Sequence, residues 1–269
     1  MPELPDVEGF RRHFARYAAG RRIERVEVRD PALVRNDSGQ GLGRAVNGKR
    51  FAAPRRHGKF LLVDAADATV VMHFGMTGLL HWTADRGYRH RHDRVVFWLD
   101  HGQVAYRNMR KFGGIWIAHG EVAIAHVTGP LGPDALAVTG DELQALLARR
   151  RGALKPALMD QRLIAGLGNL LCDEILWRSR LHPRTPVAAL RDRDVEKIHD
   201  TMQAVLRESN RHARVPGKPG WLTGVRDERD ARCPRCQTRI RRAQVGGRTT
   251  CWCPRCQRER RHSSRVRSN

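Results

Sequence analysis

The sequence predicts an α+β protein in which a strand-rich N-terminal domain precedes a helical domain and a cysteine-rich hairpin. Three observations carry this prediction. Short runs of β-branched and aromatic residues, separated by Gly, Asp and His, extend from Ile23 to Ala118. After Leu131-Gly-Pro133 the apolar residues take up a helical spacing. The sequence Cys-Pro-Arg-Cys then occurs twice, at 233–236 and 253–256, within a basic C-terminal segment.

Composition points to a polyanionic partner. The chain has 269 residues, of which 41% are hydrophobic, so it can bury a core and is long enough for about two domains. Its 50 Lys and Arg against 28 Asp and Glu give a net charge of +22, which is not typical of a neutral metabolic enzyme. From Arg211 to the end, 17 basic and 4 acidic residues give 17 − 4 = +13. Nucleic acid is the expected partner.

Membrane and secretory locations are not expected. The longest apolar stretch, 70–80, has 11 residues and includes His73, whereas a spanning helix needs about 20. Acidic residues at positions 3, 6 and 8 stand where a secretory signal would be basic. Five of the six Cys fall between Cys233 and Cys256, which is not typical of a disulfide framework. We therefore expect a cytoplasmic protein.

The N-terminal elements follow from periodicity. Val7, Phe10 and Phe14 share one face of a predicted helix, and Pro5 suits its first turn. The short β-type runs predict antiparallel strands over Ile23–Arg29, Phe60–Val63, Val70–His73, Arg94–Leu99, Gln103–Arg107 and Gly114–Ala118.

The second half of the chain is predicted to be helical. Thr139 and Glu142 form a capping box before an apolar face. Further helices are expected over Pro156–Leu163, Asn169–Arg178 and 195–206, with a Pro/Gly loop over 215–220. Gly166-Leu-Gly168-Asn169 lies between two of them, and small residues at a helix N-terminus can admit a phosphate. An ordinary helix–helix turn explains this segment equally well.

The Cys pairs predict a metal site. Cys233 and Cys236 are separated by 16 residues from Cys253 and Cys256, and two such knuckles can place four thiolates around one structural Zn2+. Reduced pairs without metal, or redox thiols, are the alternatives, and Cys251 could replace Cys253 in the set. Cys172 is more typical of a core thiol. The arginines between the pairs would either contact phosphates or form a solvated basic face; they are Arg239, Arg241, Arg242 and Arg248.

The N-terminus could supply a nucleophile. If Met1 is removed, Pro2 becomes a secondary amine, and an α-amine has a pKa of about 7.7–8.0 against about 10.4 for Lys. A larger neutral fraction makes such an amine the better nucleophile near pH 7. Glu3 lies within reach as a proton carrier. A disordered terminus without chemistry is the alternative.

A set of ordered motifs resembles the Fpg/Nei family of DNA glycosylases, which comprises formamidopyrimidine-DNA glycosylase and endonuclease VIII-like proteins. The resemblance covers residues 2–257. Its motifs are Pro2-Glu-Leu-Pro-Asp-Val-Glu8, Arg55-Arg-His-Gly-Lys-Phe-Leu61, His73-Phe-Gly-Met-Thr-Gly78, Arg110-Lys-Phe-Gly113, Leu131-Gly-Pro133, Lys155-Pro-Ala-Leu-Met-Asp160, Gly166-Leu-Gly-Asn169 and the Cys module with Arg248.

The resemblance implies a fold and a domain plan. A β-sandwich domain with an N-terminal helix would occupy 1–132, and a helical domain with a helix–two-turn–helix element would occupy 133–212. A capping-loop segment and a four-Cys zinc-finger β-hairpin would occupy 213–262, and 263–269 would be a disordered basic tail. Double-stranded DNA would lie in the cleft between domains, with one structural zinc per chain and no other cofactor.

It also implies catalytic roles. Pro2 would attack C1′ of the damaged nucleotide and form a Schiff base, and Glu3 would assist ring opening and proton transfer. Lys59 would hold phosphates beside the lesion. The implied activity is that of a bifunctional glycosylase and AP lyase, which excises an oxidised base and cleaves the strand by β,δ-elimination.

The remaining implied roles concern DNA binding. Asn169 and Arg248 would contact phosphates, while His73 would support the hairpin or a phosphate. Side chains that fill the gap left by the flipped base would be Met76, Arg110 and Phe112, which offset part of the lost stacking. The partner would be duplex DNA with a damaged base or abasic site, bound by a monomer.

Some positions depart from the family pattern. Asp6 stands where Glu is more usual, Asn108-Met109 where Asp-Pro is common, and Gly247 where Gln is frequent. The segment 220–233 is short for an Fpg-type capping loop. Met76, Arg110 and Phe112 resemble Fpg, whereas the motifs at 159–162 and 165–169 resemble Nei, so the preferred lesion stays open. The competing hypotheses are a non-catalytic zinc-finger protein that recognises damaged DNA, and an RNA-binding zinc ribbon.

Overall fold

The computed structural model describes residues 2–259, which form two compact units. The first unit runs to Leu131 and includes the short segment His212–Arg214. The second comprises Gly132–Arg211 and continues from Val215. The predicted tail 263–269 lies outside the described residues.

The first unit contains two four-stranded antiparallel sheets and three α-helices over its described residues. The helices are α1 (Leu4–Tyr17), α2 (Gly39–Val46) and α3 (Gly120–Thr128). The strands are β1 (Ile23–Val28), β2 (Arg55–His57), β3 (Phe60–Ala65), β4 (Ala68–His73), β5 (Gly78–Thr83), β6 (Asp93–Leu99), β7 (Gln103–Asn108) and β8 (Gly114–Ala118). One sheet has the order β1-β6-β7-β5 and the other the order β2-β3-β4-β8.

The core of this unit lies between the two sheets, as in a sandwich. Alternation along β6 directs Val95, Phe97 and Leu99 into this core, while Val96 and Trp98 pack on the other face. Both sheets and the apolar face of α1 contribute to one buried cluster. Helix α1 packs against β2, β3 and β5, and α3 packs against β4 and β8. The fold therefore packs α1 against both sheets.

The second unit is helical and ends in a β-hairpin within the described residues. Its helices are α4 (Gly140–Ala148), α5 (Leu154–Met159), α6 (Asn169–Ser179), α7 (Asp192–Arg211) and α8 (Leu222–Val225). The hairpin pairs β9 (Arg241–Val245) with β10 (Arg248–Trp252). Helix α6 is the central element, because it packs against α5, α7, α8 and β10. Short turns over 160–168 join α5 to α6, which gives a helix–two-turn–helix element.

The predicted α+β class is confirmed, and most predicted elements are present. The Thr139–Glu142 capping box is formed at α4. The helix predicted over 156–163 ends at Met159, because Asp160 takes an extended conformation and the Gln161 carbonyl accepts a hydrogen bond from the Gly132 N–H at 2.9 Å. Five of the described helices and strands were not predicted: they are β2, β5, α2, α3 and α8. No helix among residues 2–259 is long and apolar enough to cross a membrane.

Candidate active site and zinc centre

Glu3 is buried at the start of α1, with only 1% of its surface exposed. It precedes the helix in an extended conformation, and its backbone N–H donates to Asp6 Oδ2 at 2.8 Å. The shorter Asp6 side chain therefore caps the same helix end that carries Pro2 and Glu3. Burial raises the pKa of Asp6, although the hydrogen bond from the Glu3 backbone opposes this rise.

Lys59 lies in a two-residue turn that joins β2 to β3. The first turn residue, Gly58, has a φ of +55°, which suits a tight hairpin. Arg56 holds this turn, because its Nη1 donates to the Gly58 carbonyl at 2.9 Å and its Nε donates to Glu8 at 3.3 Å. Burial opposes ionisation of Glu8, but hydrogen bonds from Arg11 and others outweigh it and lower the Glu8 pKa. Glu8 on α1 thus fixes the hairpin that carries Lys59.

His73 lies next to this hairpin at the end of β4. Its ring centre is 4.9 Å from that of Phe60, and its Nδ1 accepts a hydrogen bond from the Gly75 N–H at 3.3 Å. Burial, assisted by the positive charge of Lys59, lowers the pKa of His73 to about 4. The ring is therefore neutral at pH 7 and suited to holding the turn or donating to a phosphate through Nε2.

Two neighbouring loops of the first unit expose apolar side chains. The 74–77 loop carries Met76, which is 39% exposed, and the 109–113 loop carries Phe112, which is 51% exposed. A Cβ at Gly75 would lie 2.1 Å from the Phe112 carbonyl oxygen, so the loops touch. The Arg110 guanidinium lies 5.3 Å from the centre of the Phe112 ring. The structure therefore brings these three predicted residues to one surface.

Asn108, which is fully buried, holds the two loops together. Its amide donates to the Phe112 carbonyl and, at 3.1 Å, to the Tyr106 hydroxyl. Its carbonyl oxygen accepts from Thr77 Oγ1 at 3.1 Å and from the Lys111 N–H at 3.0 Å. In the sequence Asn108 differs from the family only as part of Asn108-Met109 in place of Asp-Pro, and its anchoring role follows from the structure.

The turn before α6 positions Asn169 in the second unit. The Asn169 amide donates to the Thr249 carbonyl of β10 at 3.0 Å, and its oxygen accepts from Lys155 Nζ at 2.7 Å. Lys155 is fully buried and also contacts Asp173 and Thr250. Asn169 is therefore fixed between the helix–two-turn–helix element and the hairpin.

Arg248 begins β10 directly after the hairpin turn. Gly246 and Gly247 form this turn with φ of +57° and +71°, a conformation that other residues rarely adopt. Gly247 thus fits where the family more often has Gln. A Cβ at Gly246 would lie 2.6 Å from Pro156, so the turn packs closely on α5. Arg248 is exposed, and no residue in 2–259 forms a hydrogen bond or ion pair with its guanidinium.

Lys155 and Asp173 are buried beside Asn169 and hold it in place through the Lys155 ammonium group. In the sequence Lys155 belongs to one of the family motifs and Asp173 to a predicted helix. In the structure Asp173 accepts hydrogen bonds from Lys155 Nζ and the Cys251 N–H, and it forms an ion pair with Arg226. Burial raises the pKa of Asp173, against the effect of these cations. The available signal was a charged residue among the apolar residues of each helix, Lys155 in α5 and Asp173 in α6.

Four thiols gather where the two Cys pairs meet. The sulfurs of Cys233, Cys236, Cys253 and Cys256 all lie within 4.8 Å of one another. Cys236 Sγ is 3.5 Å from those of Cys253 and Cys256. Tetrahedral zinc with bonds of about 2.3 Å requires sulfur separations of about 3.8 Å, so this set fits the ion. The Trp177 indole N–H donates to Cys233 Sγ at 3.3 Å, which supports a thiolate there.

Cys251 lies outside this cluster. Its sulfur faces the Arg226 carbonyl at 3.8 Å, and the residue is buried beside α6. Cys251 lies within β10, whereas Cys253 follows the end of the strand at Trp252. The structure thus brings together the four Cys that were predicted as ligands.

Comparison with known proteins identifies the family. Sequence models described as the formamidopyrimidine-DNA glycosylase N-terminal domain, its H2TH domain and a zinc finger found in FPG and IleRS match residues 1–115, 131–214 and 232–258. Formamidopyrimidine-DNA glycosylase from Streptococcus pneumoniae strain R6 is 33% identical over 273 residues, which cover 96% of this chain and 99% of the relative. This chain belongs to the formamidopyrimidine-DNA glycosylase family.

Further members of the family are similar to this chain in sequence and in structure. The protein of the same description from Geotalea uraniireducens is 35% identical over 271 residues, covering 96% of this chain and all of the relative. The crystal structure of Lactococcus lactis Fpg with abasic-site DNA superposes with a TM-score of 0.87 at 26% identity, covering 96% of this chain and 100% of that one. The sandwich, helix–two-turn–helix and zinc-finger hairpin predicted from the sequence are confirmed, as is the structural zinc site.

Proposed function

We propose that this protein is a base-excision-repair DNA glycosylase with AP lyase activity, which acts on duplex DNA containing an oxidised base or an abasic site. The observation that carries the proposal is family membership along nearly the whole chain. The solved Lactococcus lactis relatives are complexes with abasic-site or Fapy-dG DNA. A protein that only binds DNA would need neither Pro2 nor a buried Glu3.

In this proposal Pro2, once Met1 is removed, is the nucleophile. Its neutral amine attacks C1′ of the damaged nucleotide, the bond from C1′ to the base breaks, and the departing base takes up a proton. Glu3 carries protons during ring opening, and its burial at the start of α1 supports that role because bulk water does not compete there for the proton. The resulting Schiff base allows β- and then δ-elimination of the two phosphates.

The remaining residues position the DNA. Lys59 is held at its hairpin by the Glu8–Arg56 contact and would grip phosphates beside the lesion, with neutral His73 as a hydrogen-bond donor. Asn169 and Arg248 would bind further phosphates, which orient a duplex without reading its sequence. Met76, Arg110 and Phe112 would fill the space left by the extruded nucleotide, because they are exposed and adjacent.

The zinc ion would have no part in the chemistry. Four thiolates fill its coordination sphere, so no position is left for water or substrate. Cys233, Cys236, Cys253 and Cys256 would hold it, and the ion would fix the hairpin that carries Arg248. We also propose that the protein acts as a monomer in the cytoplasm.

The test is a reaction of the purified chain with duplexes that carry one defined lesion each, including an oxidised purine, an oxidised pyrimidine and an abasic site. We expect base release from at least one oxidised lesion, and strand products that end in 3′-phosphate, the mark of β,δ-elimination. An undamaged duplex is the control. Tight binding of the damaged duplexes with no released base and no cleavage would instead support the non-catalytic DNA-binding hypothesis.

A further inference from the structure

We propose that a cavity beside the zinc knuckles is a second phosphate site, which binds backbone phosphodiester groups of DNA beyond those at Asn169 and Arg248. The inference rests on the proposed function, since it assumes that DNA is the partner. The cavity has a volume of about 500 Å³ and lies entirely within the second unit. The residues that line it are Arg180, Arg235, Cys236, Arg255, Cys256 and Arg258.

The cavity is strongly cationic. Four guanidinium groups line it, and no carboxylate is among the described residues that do so. Arg235 is already engaged, because its guanidinium lies 4.5 Å from the centre of the Trp177 ring and donates to the Trp177 carbonyl at 3.3 Å. The side chains of Arg180, Arg255 and Arg258 are exposed and have no hydrogen-bond or ion-pair partner within residues 2–259.

Within residues 2–259, other arginines of the second unit, unlike those of the cavity, form ion pairs with carboxylates. Arg239 pairs with Asp230 at 2.9 Å, and Arg242 pairs with Asp227 at 2.8 Å. Those pairs reduce the positive charge of the hairpin surface, whereas the cavity keeps its full charge. Unpaired guanidinium groups that converge on a concave surface can bind a phosphate with two parallel hydrogen bonds each.

Arg180 occupies a position that normally belongs to glycine. It caps α6 with a φ of +59°, a left-handed conformation that favours Gly. A cation at a helix C-terminus is favourable for the helix dipole, which explains a basic residue there. It does not explain why Arg255 and Arg258, which belong to a different segment, converge on the same cavity.

The cavity is too far from Asn169 to share its phosphate. Asn169 is the first residue of α6 and Arg180 follows its last, so the 11 residues of the helix separate them. At about 1.5 Å per residue this is about 16 Å, which matches about five base pairs at about 3.4 Å each. The cavity is therefore a separate contact, made either by the flank of the same duplex or by a second DNA segment.

A competing explanation is that these arginines only balance the charge of the metal centre. Zinc with four thiolates has a net charge of −2, and cations nearby would stabilise it. Zinc content separates the two explanations. If the arginines serve the metal, their removal weakens zinc binding; if they serve DNA, the zinc stays bound and only the DNA affinity changes.

The experiment compares two triple variants of the full chain. One carries Arg180→Gln, Arg255→Gln and Arg258→Gln. The matched control carries Arg149→Gln, Arg193→Gln and Arg207→Gln, which removes the same charge from exposed positions on or beside α4 and α7. Binding to a 30-base-pair duplex with a central abasic-site analogue is measured from 50 to 200 mM salt, together with zinc content.

We expect the cavity variant to lower the salt slope of log affinity by about 2–3 units, and the control to lower it by less than about one. If three contacts are lost, the change in affinity between 50 and 200 mM salt should be roughly 40-fold smaller than for wild type. Zinc content and the rate of single-turnover cleavage at saturating protein should equal those of wild type. A slope equal to that of the control, or loss of zinc, would overturn the proposal.

Lesion position distinguishes the source of the phosphate. Two duplexes are compared, each with the lesion about four base pairs from a different end. If the flank of the same duplex fills the cavity, the effect of the cavity variant should vanish for one of these duplexes and persist for the other. An effect independent of position would assign it to a second DNA segment. Absence of cleavage by wild type would refute the proposed activity, while the salt slopes would still test the cavity.

Discussion

At the scale of single residues, burial determines what each candidate group can do. Glu3 is almost fully buried at the start of α1, whereas Pro2 beside it is partly accessible. A buried carboxyl group can hold a proton where bulk water does not compete, while the nucleophile has to be reached by DNA. The two neighbours therefore suit the different roles proposed for them.

Glu3→Gln should separate binding from base excision. Gln keeps the size of the side chain but cannot exchange a proton, so we expect glycosylase turnover to fall by about 100-fold or more. Affinity for duplex with an abasic-site analogue should stay within about twofold of wild type. Lyase action on a preformed abasic site should persist in part. Single-turnover base release measures the effect, and a rate equal to that of wild type would refute the proton-transfer role.

At the scale of elements, the zinc hairpin depends on which Cys ends β10. Cys251 stands within the strand and packs against Arg226, whereas Cys253 follows the strand and joins the thiol cluster. The strand pairing Cys251↔Arg242 fixes this register. Because the metal cross-links the two knuckles, its loss should release the hairpin and Arg248 with it.

The two Cys should respond differently to the same substitution. Cys251→Ser should retain one zinc per chain, since its sulfur lies outside the ligand set. Cys253→Ser should lose zinc, and its DNA affinity should fall with the hairpin. Metal analysis of the purified variants, with the unfolding temperature of each, makes the comparison. Zinc retained in Cys253→Ser but lost from Cys251→Ser would show that the ligand set is wrong.

Elements with a regular period could be predicted from the sequence, and the others could not. The 3-4 spacing in α1 and the runs in β6 and β8 contain their own signal. Helix α2 has Gly39, Gly41 and Gly43 among eight residues, so its helix propensity is low and tertiary packing decides it. Helix α3 contains β-branched residues that are typical of strands, and β5 continues the apolar run of β4.

In the candidate site, too, some residues could be predicted from the sequence and others could not. The Cys spacing and the ordered motifs predicted the metal and DNA-binding residues, because each of them is a local pattern. The hydrogen bonds that hold those residues in place join positions far apart in the sequence, such as Asn169 with Thr249 or Glu8 with Arg56. No local pattern contains such contacts, so Asn108, Lys155 and Asp173 were found only in the structure.

At the scale of the whole molecule, positive charge is divided between two compact units. Lys59 belongs to the first unit, and Asn169 and Arg248 belong to the second. All three are proposed to bind phosphates, which contribute affinity but no sequence information. Under this proposal the net charge of +22 would serve general attraction to DNA, and the exposed loop residues would provide specificity for damage.

Salt titrations should distinguish these contributions. Lys59→Ala and Arg248→Ala should each reduce the slope of log affinity against log salt by about one unit, on damaged and undamaged duplex alike. Asn169→Ala should weaken binding without changing the slope, because the amide is neutral. Met76→Ala should leave binding of undamaged duplex unchanged and slow excision. An unchanged slope and affinity in Arg248→Ala would show that the hairpin does not clamp DNA.

The most direct test of the proposed chemistry is borohydride trapping on duplexes with an oxidised base or an abasic site. Reduction of the Schiff base should leave a stable protein–DNA adduct in the protein from which Met1 has been removed. A form that retains an N-terminal tag should give no adduct, and Pro2→Gly, which keeps a primary amine, should give only a weak one. A full-strength adduct in the tagged form would place the nucleophile elsewhere and contradict the assignment of Pro2.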